Sequence, residues 1–541
     1  MSEPLGLIVG ESVMNLVFRV PRNREVYVGD ILVAVSPSEA RRGGPVPEGH
    51  GGSGGGSGSD GLGPGAGARH FLRVVDVKHG ADAAGPDWLP RVAGNMLVQH
   101  RELGEAGAYA DGDDRLYKMG VAVPLGTVRD GTFRKSKTLP PHFAPVRRAG
   151  PDDYAFLTEH MGDLEIGHLR SGEETVPFAV GIDGSRSFPY HVGIFATTGM
   201  GKSNLMKVLA GSCLGTGRYG LLIVDPHGEY YEGSPGCRGL SHHPRAPKRL
   251  VVYAARKLRG PHHKLQISTH EVEVADLRQL FEFTEAQSDF LNGARRRYGG
   301  AWLAEIHDKQ TAVLVQEVQG TRFDGPVEVV KRKIARLFDT GLLHRDERVT
   351  CTGPVLRELR EGKVVLVDTG GLTDAEELLV ATVLARALLE SGKRAYEAEG
   401  FDTLPPVMIT LEEAQRVLGK GSSKGNVFGQ IAREGRKFKV GICAITQQPK
   451  LLDTEVVSQL NTLFILGLAD KRDRDILQDS AKQDVGQLEN EIQMLMPGEC
   501  LLTSPYAPFA VPAKVHLYEE WLARLPAARE EAKVTVDRAF Y

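Results

Sequence analysis

The residues best suited to chemistry lie in a glycine-rich turn between an apolar segment and a helical one. HVGIFATTGMGKSNLMKVL begins at His191, and this strand–turn–helix order is the context in which GxxxxGK[ST] has physical meaning. Backbone N–H groups from Gly199 to Ser203 can wrap a β-phosphate, and the helix N-terminus adds partial positive charge. Lys202 would reach the β- and γ-phosphates, and the Ser203 hydroxyl would coordinate Mg²⁺. We therefore predict an ATP and Mg²⁺ site formed by Thr198, Gly199, Met200, Gly201, Lys202, Ser203 and Asn204.

One position of this turn departs from the pattern. Ala196 stands where the first glycine belongs. The position joins strand to loop, and alanine can occupy it if its φ angle stays negative. We therefore expect a working phosphate loop with a negative φ at Ala196.

A second chemical feature is a pair of carboxylates in PPVMITLEEAQRVL, where an apolar strand gives way to a helix. In a phosphate-loop fold, the strand beside the loop presents a carboxylate to the magnesium shell, and a second one can orient the attacking water. We assign Glu412 to the metal shell and Glu413 to the water. The alternative is two glutamates in the first turn of a helix, stabilised by the helix dipole.

The elements that must position these residues are apolar runs alternating with helical stretches from about Asp152 onward. The runs are HVGIFA, LLIVD, RLVVYA, KVVLVD, PVMITL, VGICAIT and TLFILG. Continuous apolar runs are typical of strands buried on both faces, and intervening helices indicate a parallel sheet. Residues 272–345 show helical periodicity without such a run, which predicts a helical insertion. We predict an α/β core over 151–510, carrying this insertion.

The N-terminal part has a different rhythm. Short strand-like segments fill the first 40 residues and return at Phe71 and Tyr117, which suits a small antiparallel barrel or sandwich. Between them, residues 43–67 contain 13 glycines in 25 positions, a composition that predicts a flexible loop. We predict a β domain over 1–150 with a flexible insertion at 41–69. Residues 511–541 are predicted to form a C-terminal helix and a tail.

Composition excludes several classes of protein. The chain has 541 residues, with 41% hydrophobic and 25% charged residues, close to globular averages. No apolar run approaches the length of a membrane helix, which requires about 18 residues, and the N-terminus lacks the basic region of a secretion signal. Five cysteines, an odd number without a CxxC pair, argue against both a zinc site and a disulfide framework. We expect a cytoplasmic protein without a membrane partner.

Five further sequence segments are TTGMGKSN at 197–204, VDPHGEYY at 224–231, ITLEEAQ at 409–415, IAREGRKFKVGICAITQQP at 431–449 and VSQLNTLFILGL at 457–468. Together these motifs resemble the HerA family of hexameric DNA helicase-translocases, which is related to the FtsK translocases. Weaker likeness extends to KVVLVDTGGL and IGHLR, and the strand-rich N-terminus resembles the HAS-barrel of the family. Gln415 departs from the family, which usually has histidine after the paired glutamates.

The resemblance implies a RecA-like core and further site residues. Gln447, just after a predicted strand, occupies the family position of a polar sensor of the γ-phosphate, and an amide can both donate and accept there. Arg433 or Arg436 would act on the nucleotide of a neighbouring subunit; the alternative is a solvated basic helix end. Asp225 would lie in the site region at a strand end, or DPHG would be an ordinary turn.

Net charge of −3, from 66 basic and 69 acidic residues, does not itself indicate nucleic-acid binding, although a ring can concentrate basic residues locally. Lys420 and Lys424 flank a Gly/Ser-rich loop that could follow a DNA backbone without base specificity. The basic runs at 295–297 and 331–333 are better explained as solvated helix faces.

The resemblance implies an ATP-dependent DNA helicase or translocase of a prokaryotic cytoplasm. It would form a homohexameric ring and work with a NurA-like nuclease in resecting double-strand-break ends. The alternatives are a ring ATPase of an anti-phage complex and a conjugation or secretion coupling ATPase, which usually has a membrane anchor. A scaffold that binds ATP with little turnover is disfavoured, because it needs no water-positioning carboxylate.

Overall fold

The computed structural model describes residues 4–526, except 13–14, 22, 36–67, 82–115, 235, 319–323, 399–400, 422–424 and 484. The predicted glycine-rich insertion at 41–69 lies outside the described residues apart from its last two positions. The predicted C-terminal tail lies outside them beyond residue 526.

The N-terminal part is a closed antiparallel barrel, which confirms the predicted small β domain. Six of its seven strands follow one another around the barrel, and pairing between β2 and β5 closes it, while β6 extends β5. Alternate side chains such as Phe18, Leu32 and Leu72 fill the interior, as the two-residue period of strands requires. The strands are β1 (Gly6–Ser12), β2 (Asn15–Val20), β3 (Ile31–Val35), β4 (Arg69–Ala81), β5 (Leu116–Arg129), β6 (Thr132–Arg134) and β7 (Pro145–Arg148).

A 3-10 helix, Pro151–His160, leads from the barrel into the α/β core. Beyond it the described residues form a large sheet and two small strand pairs. The strands are β8 (Leu164–Ser171), β9 (Glu174–Ile182), β10 (Val192–Phe195), β11 (Gly220–Asp225), β12 (Gly233–Ser234), β13 (Cys237–Arg238), β14 (Leu250–Ala254), β15 (His263–Lys264), β16 (Ile267–Ser268), β17 (Leu343–His344), β18 (Val364–Asp368), β19 (Val407–Leu411), β20 (Val440–Thr446), β21 (Thr462–Ile465), β22 (Glu499–Thr503) and β23 (Val511–Val515).

The large sheet has 12 strands in the order β15-β14-β18-β11-β19-β20-β10-β21-β22-β23-β8-β9. All seven predicted apolar runs are strands of it, and they run parallel to one another, which confirms the predicted α/β core. The strands β22, β23, β8 and β9 extend the sheet antiparallel. Because β23 covers Val511–Val515, the sheet continues five residues beyond the predicted core limit at 510.

Helices cover both faces of this sheet. No helix among the described residues is long and apolar enough to cross a membrane. The helices are α1 (Gly184–Ser187), α2 (Lys202–Thr216), α3 (Ala246–Arg249), α4 (Val274–Leu280), α5 (Glu285–Tyr298), α6 (Trp302–Asp308), α7 (Thr311–Glu317), α8 (Asp324–Ala335), α9 (Thr352–Arg360), α10 (Asp374–Tyr396), α11 (Gln415–Leu418), α12 (Val427–Glu434), α13 (Thr454–Gln459), α14 (Lys471–Ser480), α15 (Glu489–Met494) and α16 (Tyr518–Arg524).

The helical insertion is present as predicted and consists of α4 to α8. The pairing of β16 with β17 joins its two ends. Trp302 is fully buried at its centre, and the indole N–H donates to the Val272 carbonyl at 3.0 Å. The indole thereby satisfies its one polar group while its ring fills the core.

The barrel is joined to the core by a buried ion triad. Arg73 of β4 donates two 2.7 Å hydrogen bonds to the carboxylate of Glu491 in α15, and Arg170 of β8 donates to the same carboxylate. The three side chains are 0%, 3% and 5% exposed for Arg73, Glu491 and Arg170. Burial raises the pKa of Glu491, but the two guanidinium charges outweigh it and leave that pKa below its usual value.

Candidate nucleotide site

The phosphate-binding loop connects β10 to α2 at the carboxyl edge of the parallel strands. Gly199 and Gly201 have φ angles of 82° and 101°, in the region that glycine adopts without steric cost. Ala196 has no positive φ, which confirms the condition under which alanine was expected there. The loop is closed by a 3.3 Å hydrogen bond from the Met200 N–H to the Thr197 carbonyl, and α2 starts with the Leu205 N–H bonding to Gly201.

A cavity of about 380 Å³ opens in front of this loop. It brings most of the predicted residues together, from the phosphate loop and from the carboxyl ends of β11, β19 and β20. Met200 is not among its lining residues; its side chain packs into the core. The cavity is lined by Thr198, Gly199, Gly201, Lys202, Ser203, Asn204, Asp225, His227, Glu229, Tyr230, Glu412, Glu413 and Gln447.

The paired glutamates directly follow β19 and precede α11, which begins at Gln415. Neither side chain therefore belongs to a helical first turn, so the alternative of a dipole-stabilised helix start does not apply. Glu413 has a φ of 47°, unusual for a residue with a Cβ atom. The 3.0 Å hydrogen bond from the Ala414 N–H to the Ile445 carbonyl holds the next residue against β20.

Glu412 is the more enclosed of the two carboxylates. The hydroxyl of Tyr230 donates a hydrogen bond to its Oε1 atom. Burial raises the pKa of Glu412, as do the charges of Asp225 and Glu413, while the Tyr230 hydrogen bond and the Lys202 charge lower it. The net effect raises the pKa of this partly buried carboxylate, so a cation bound beside it would stabilise the charged form, as the predicted metal-shell role requires.

Glu413 is oriented by an amide relay. The Gln415 Nε2 atom donates to its Oε2 atom at 2.6 Å. The Gln415 Oε1 atom in turn accepts from the Thr446 hydroxyl at 2.6 Å, which fixes which end of the amide faces the carboxylate. The relay leaves the other oxygen of Glu413 available to a water in the cavity.

Asp225 shapes the neighbouring turn. Its carboxylate accepts hydrogen bonds from the backbone N–H groups of Gly228, Glu229 and Tyr230, at 2.7, 3.2 and 2.9 Å. Burial raises the pKa of Asp225, and these N–H groups oppose that rise. Asp225 therefore lies at the site, as predicted, and its bonds hold the turn that carries Tyr230 to Glu412.

Gln447 follows β20 and meets the phosphate loop. Its Oε1 atom accepts a hydrogen bond from the Thr198 hydroxyl. This contact places the amide at the cavity wall, where a γ-phosphate sensor was predicted. The sensing role itself stays a prediction.

Asn204 lines the cavity, but its side chain bonds to the C-terminal segment. Its Nδ2 atom donates to the His516 carbonyl at 2.8 Å, and its Oδ1 atom accepts from the Tyr518 N–H at 2.9 Å. Its backbone N–H remains available to a phosphate, so the predicted contact would come from the main chain.

Arg433 and Arg436 do not line the cavity. They precede β20, which runs parallel to β10, and the Arg436 guanidinium lies 5.2 Å from the ring centre of Tyr190, just before β10. Both arginines therefore lie at the amino edge of these strands. The phosphate loop lies at the carboxyl edge, and the four residues of β10 separate the two edges by about 13 Å.

The predicted DNA-contacting lysines and the basic runs have different environments. Lys420 is exposed after α11, and Lys424 lies outside the described residues. Arg295 is paired with Glu273 at 2.7 Å, and Lys333 lies over the Phe283 ring. These contacts within the insertion fit the interpretation of the basic runs as helix faces.

The donors around the cavity fit a nucleoside triphosphate with Mg²⁺. The loop offers backbone N–H groups and the Lys202 ammonium to phosphate oxygens. Oxygen ligands, which Mg²⁺ prefers, are available from Ser203 and Glu412. The arrangement can hold a triphosphate and present Glu413 to a water.

Two contributors to the site were not assigned a role from the sequence. Tyr230 stood inside the VDPHGEYY motif, but no spacing rule connects it to Glu412, which is 182 residues away. Gln415 departs from the family pattern, and that departure is the signal that the sequence offers for its role. Its partner Thr446 is 31 residues downstream.

Comparison with known proteins gives consistent matches. The family model described as helicase HerA, central domain, matches residues 164–388. A probable helicase of Methanocaldococcus jannaschii is 25% identical over 431 residues, covering 76% of this chain and 80% of that protein. The DNA double-strand break repair helicase HerA of Saccharolobus solfataricus is 24% identical over 387 residues, covering 70% and 74%. The plasmid coupling protein TrwB with a non-hydrolysable ATP analogue aligns at a TM-score of 0.44 and 14% identity, covering 70% of this chain and 95% of that one.

Proposed function

This chain belongs to the HerA helicase family, and from that premise we propose that it is an ATP-driven motor acting on DNA at double-strand breaks. It is an ATP-hydrolysing enzyme with a phosphate-loop core. The observation that carries the proposal is the joint cavity of Lys202, Ser203, Glu412 and Glu413. A protein that only binds nucleotide needs the first two of these residues but not a carboxylate held towards water.

Each side chain has a separable task in hydrolysis. Bound ATP and Mg²⁺ would supply the phosphoanhydride bond and the charge that polarises it. Lys202 and the loop N–H groups hold the phosphates, and Ser203 with Glu412 would hold the cation. Glu413 accepts a hydrogen bond from the attacking water and orients it.

We further propose that the motor is a hexameric ring in which an arginine of one subunit completes the site of the next. The support is geometric. Arg433 and Arg436 lie at the opposite edge of the strands from their own phosphate loop, so a neighbour's nucleotide is the better target. A guanidinium there would stabilise charge on the transferred phosphoryl group, as arginine fingers do.

The remaining parts of the proposal concern partners. The ring would contact DNA through basic residues such as Lys420 and Lys424, using phosphate contacts without base specificity. The barrel would present a face to a NurA-like nuclease, and the two together would resect broken ends. These assignments rest on the family and on the position of the segments.

The first test is ATP turnover of the purified wild type and Glu413→Gln, each with and without linear duplex DNA. Glu159→Gln is the matched control, because Glu159 is exposed on the 3-10 helix and outside the cavity. We expect DNA to stimulate the wild type and the control. Glu413→Gln should bind ATP but lose about 10²- to 10⁴-fold in turnover, the usual contribution of a general base. Turnover that ignores DNA, or survives in Glu413→Gln, would contradict the motor or the carboxylate assignment respectively.

A second test addresses the ring. Lys202→Ala and Arg436→Ala are prepared separately and then mixed, with Arg433→Ala tested in the same way. If the arginine acts across an interface, a mixed ring contains sites with an intact lysine from one chain and an intact arginine from its neighbour. Turnover should then reappear on mixing. If the two variants form a mixed ring and turnover does not return, the arginine does not act on the neighbouring subunit's nucleotide.

A further inference from the structure

Three potential metal ligands meet at the antiparallel side of the large sheet, outside the nucleotide cavity. Glu165 and His168 lie on β8, and His516 directly follows β23. One ligand atom from each lies within 4.8 Å of the other two. Each residue is partly buried, so the cluster is sheltered but open to solvent.

The strand β8 is deformed so that two of these side chains converge. In a regular strand, residues three apart point to opposite faces. The pairing of β8 with β9 shifts register between Glu165 and Gly167 and again between His168 and Leu169. An inserted residue reverses the alternation, and bulges commonly re-aim a side chain into a site.

The hydrogen bonds of the cluster leave one imidazole unused. The His516 Nε2 atom lies 2.7 Å from the Glu165 Oε1 atom. His168 packs edge-on against His516, with ring centres 4.8 Å apart, and its side chain has no hydrogen bond to any residue that the structure describes. Trp521 stacks nearly parallel to His516, at 6.5 Å, and limits the movement of that ring.

We propose that Glu165, His168 and His516 form a site for a divalent transition ion of the Zn²⁺ type. Two imidazole nitrogens and one carboxylate oxygen are a ligand set that such ions accept, with water in the fourth position. The ion takes the place of the proton between the His516 Nε2 atom and Glu165, and the metal-bound His516 ring is neutral, with its one proton on Nδ1. Small shifts of the side chains bring the three atoms to bonding distance of one centre.

The site is coupled to the phosphate-binding helix through the backbone of its ligands. The His516 carbonyl accepts from Asn204 at 2.8 Å, and the Glu165 carbonyl accepts from the Ser212 hydroxyl at 2.6 Å. Both donors are on α2. A bound ion would therefore stabilise the packing of α2 against β8 and against the segment that follows β23.

The test measures binding of Zn²⁺ and Co²⁺ to the full chain after chelator treatment, without nucleotide. It uses a Cys237→Ser background, because Cys237 is an exposed thiol. His168→Asn is the key variant, since its side chain has no hydrogen bond to lose within the described chain. His142→Asn is the control, because His142 is exposed on the barrel.

We expect one ion per chain in the background and in His142→Asn, a visible Co²⁺ spectrum typical of low coordination number, and a rise in unfolding temperature with Zn²⁺. His168→Asn should fold normally, bind Zn²⁺ at least 100-fold more weakly and show no rise in unfolding temperature with Zn²⁺. Glu165→Gln should give the same result. If the Cys237→Ser protein binds neither Zn²⁺ nor Co²⁺, the proposal is overturned. Binding that His168→Asn leaves unchanged would show an adventitious ion only and would equally overturn it.

Discussion

Replacing Gln415 by alanine tests whether the amide relay orients the water-activating carboxylate. Gln415 does not line the cavity, yet its two ends bond Glu413 and Thr446, each at 2.6 Å. The substitution removes the donor that faces Glu413 and leaves the carboxylate free to rotate. We therefore expect Gln415→Ala to lower kcat for ATP while leaving KM nearly unchanged.

The magnitude follows from the bond that is lost. A hydrogen bond to a charged group contributes about 1.5–3 kcal/mol, and about 1.4 kcal/mol corresponds to one decade of rate. If the whole contribution is used in the transition state, kcat falls about 10- to 150-fold. Glu413→Gln should cost more, because it removes the base and not only its orientation.

The assay is steady-state ATP turnover with saturating duplex DNA, with nucleotide affinity measured separately. Gln415→His should recover most of the turnover, because a neutral imidazole can accept from Thr446 and donate to Glu413. Gln459→Ala is the matched control, since Gln459 is exposed and bonds only its neighbour Ser458 among the described residues.

Three results would contradict an orienting role for Gln415. The first is a Gln415→Ala enzyme with kcat within twofold of the wild type, which would mean that Glu413 needs no orienting donor. The second is a lower affinity for ATP at unchanged kcat, which would show that Gln415 supports binding. A loss that Gln415→His fails to recover would mean that the amide has a packing role instead.

Three further predictions concern other contacts. Glu491→Gln should destabilise the fold by about 3–5 kcal/mol, the usual cost of breaking a buried ion pair, in chemical denaturation. Because the folded pKa of Glu491 is lowered, the stability it contributes is present above the usual glutamate pKa of about 4.3. It is lost as pH falls through the folded pKa, and a loss at rising pH would contradict this. Tyr230→Phe removes a donor that lowers the pKa of Glu412, so the acid limb of the pH profile of ATP turnover should move to higher pH. An acid limb that does not move would mean that turnover does not require ionised Glu412. Asn204→Ala should lower the free energy of unfolding by about 1–3 kcal/mol, because the partly buried His516 carbonyl and Tyr518 N–H lose their partner, and ATP affinity should be unchanged. Weaker ATP binding at unchanged stability would instead indicate that the Asn204 side chain contacts the nucleotide.

Much of the fold was predictable because its signals are local. The seven apolar runs of the core are strands that helices separate, and a run of Val, Ile and Leu carries that information within a few residues. The phosphate loop was predictable for the same reason, since Gly199 to Ser203 are consecutive. Alanine in place of glycine at position 196 was also predictable as tolerated, because tolerance depends only on the sign of the φ angle at that residue.

The contacts between elements were not predictable, because they depend on the order of strands in the sheet. Glu491 bonds Arg73 across 418 residues, and His516 meets Glu165 across 351. Nothing in the spacing of these residues marks them as partners. The strand β23, which lies between β22 and β8, was not predicted, because VPAKV is short and contains proline, a residue that counts against a strand prediction.

The two adjacent glutamates illustrate how one strand end can supply two different carboxylates. Both residues follow the end of β19, and the positive φ of Glu413 turns the chain before α11 begins. Glu412 therefore stays in the enclosed wall with Tyr230, while Glu413 reaches the amide of Gln415. Burial and a nearby lysine suit the first to a cation, and a single fixed oxygen suits the second to water. A helical φ at position 413 would move the Glu413 carboxylate away from Gln415. The strained φ angle therefore contributes to the different roles of the two glutamates.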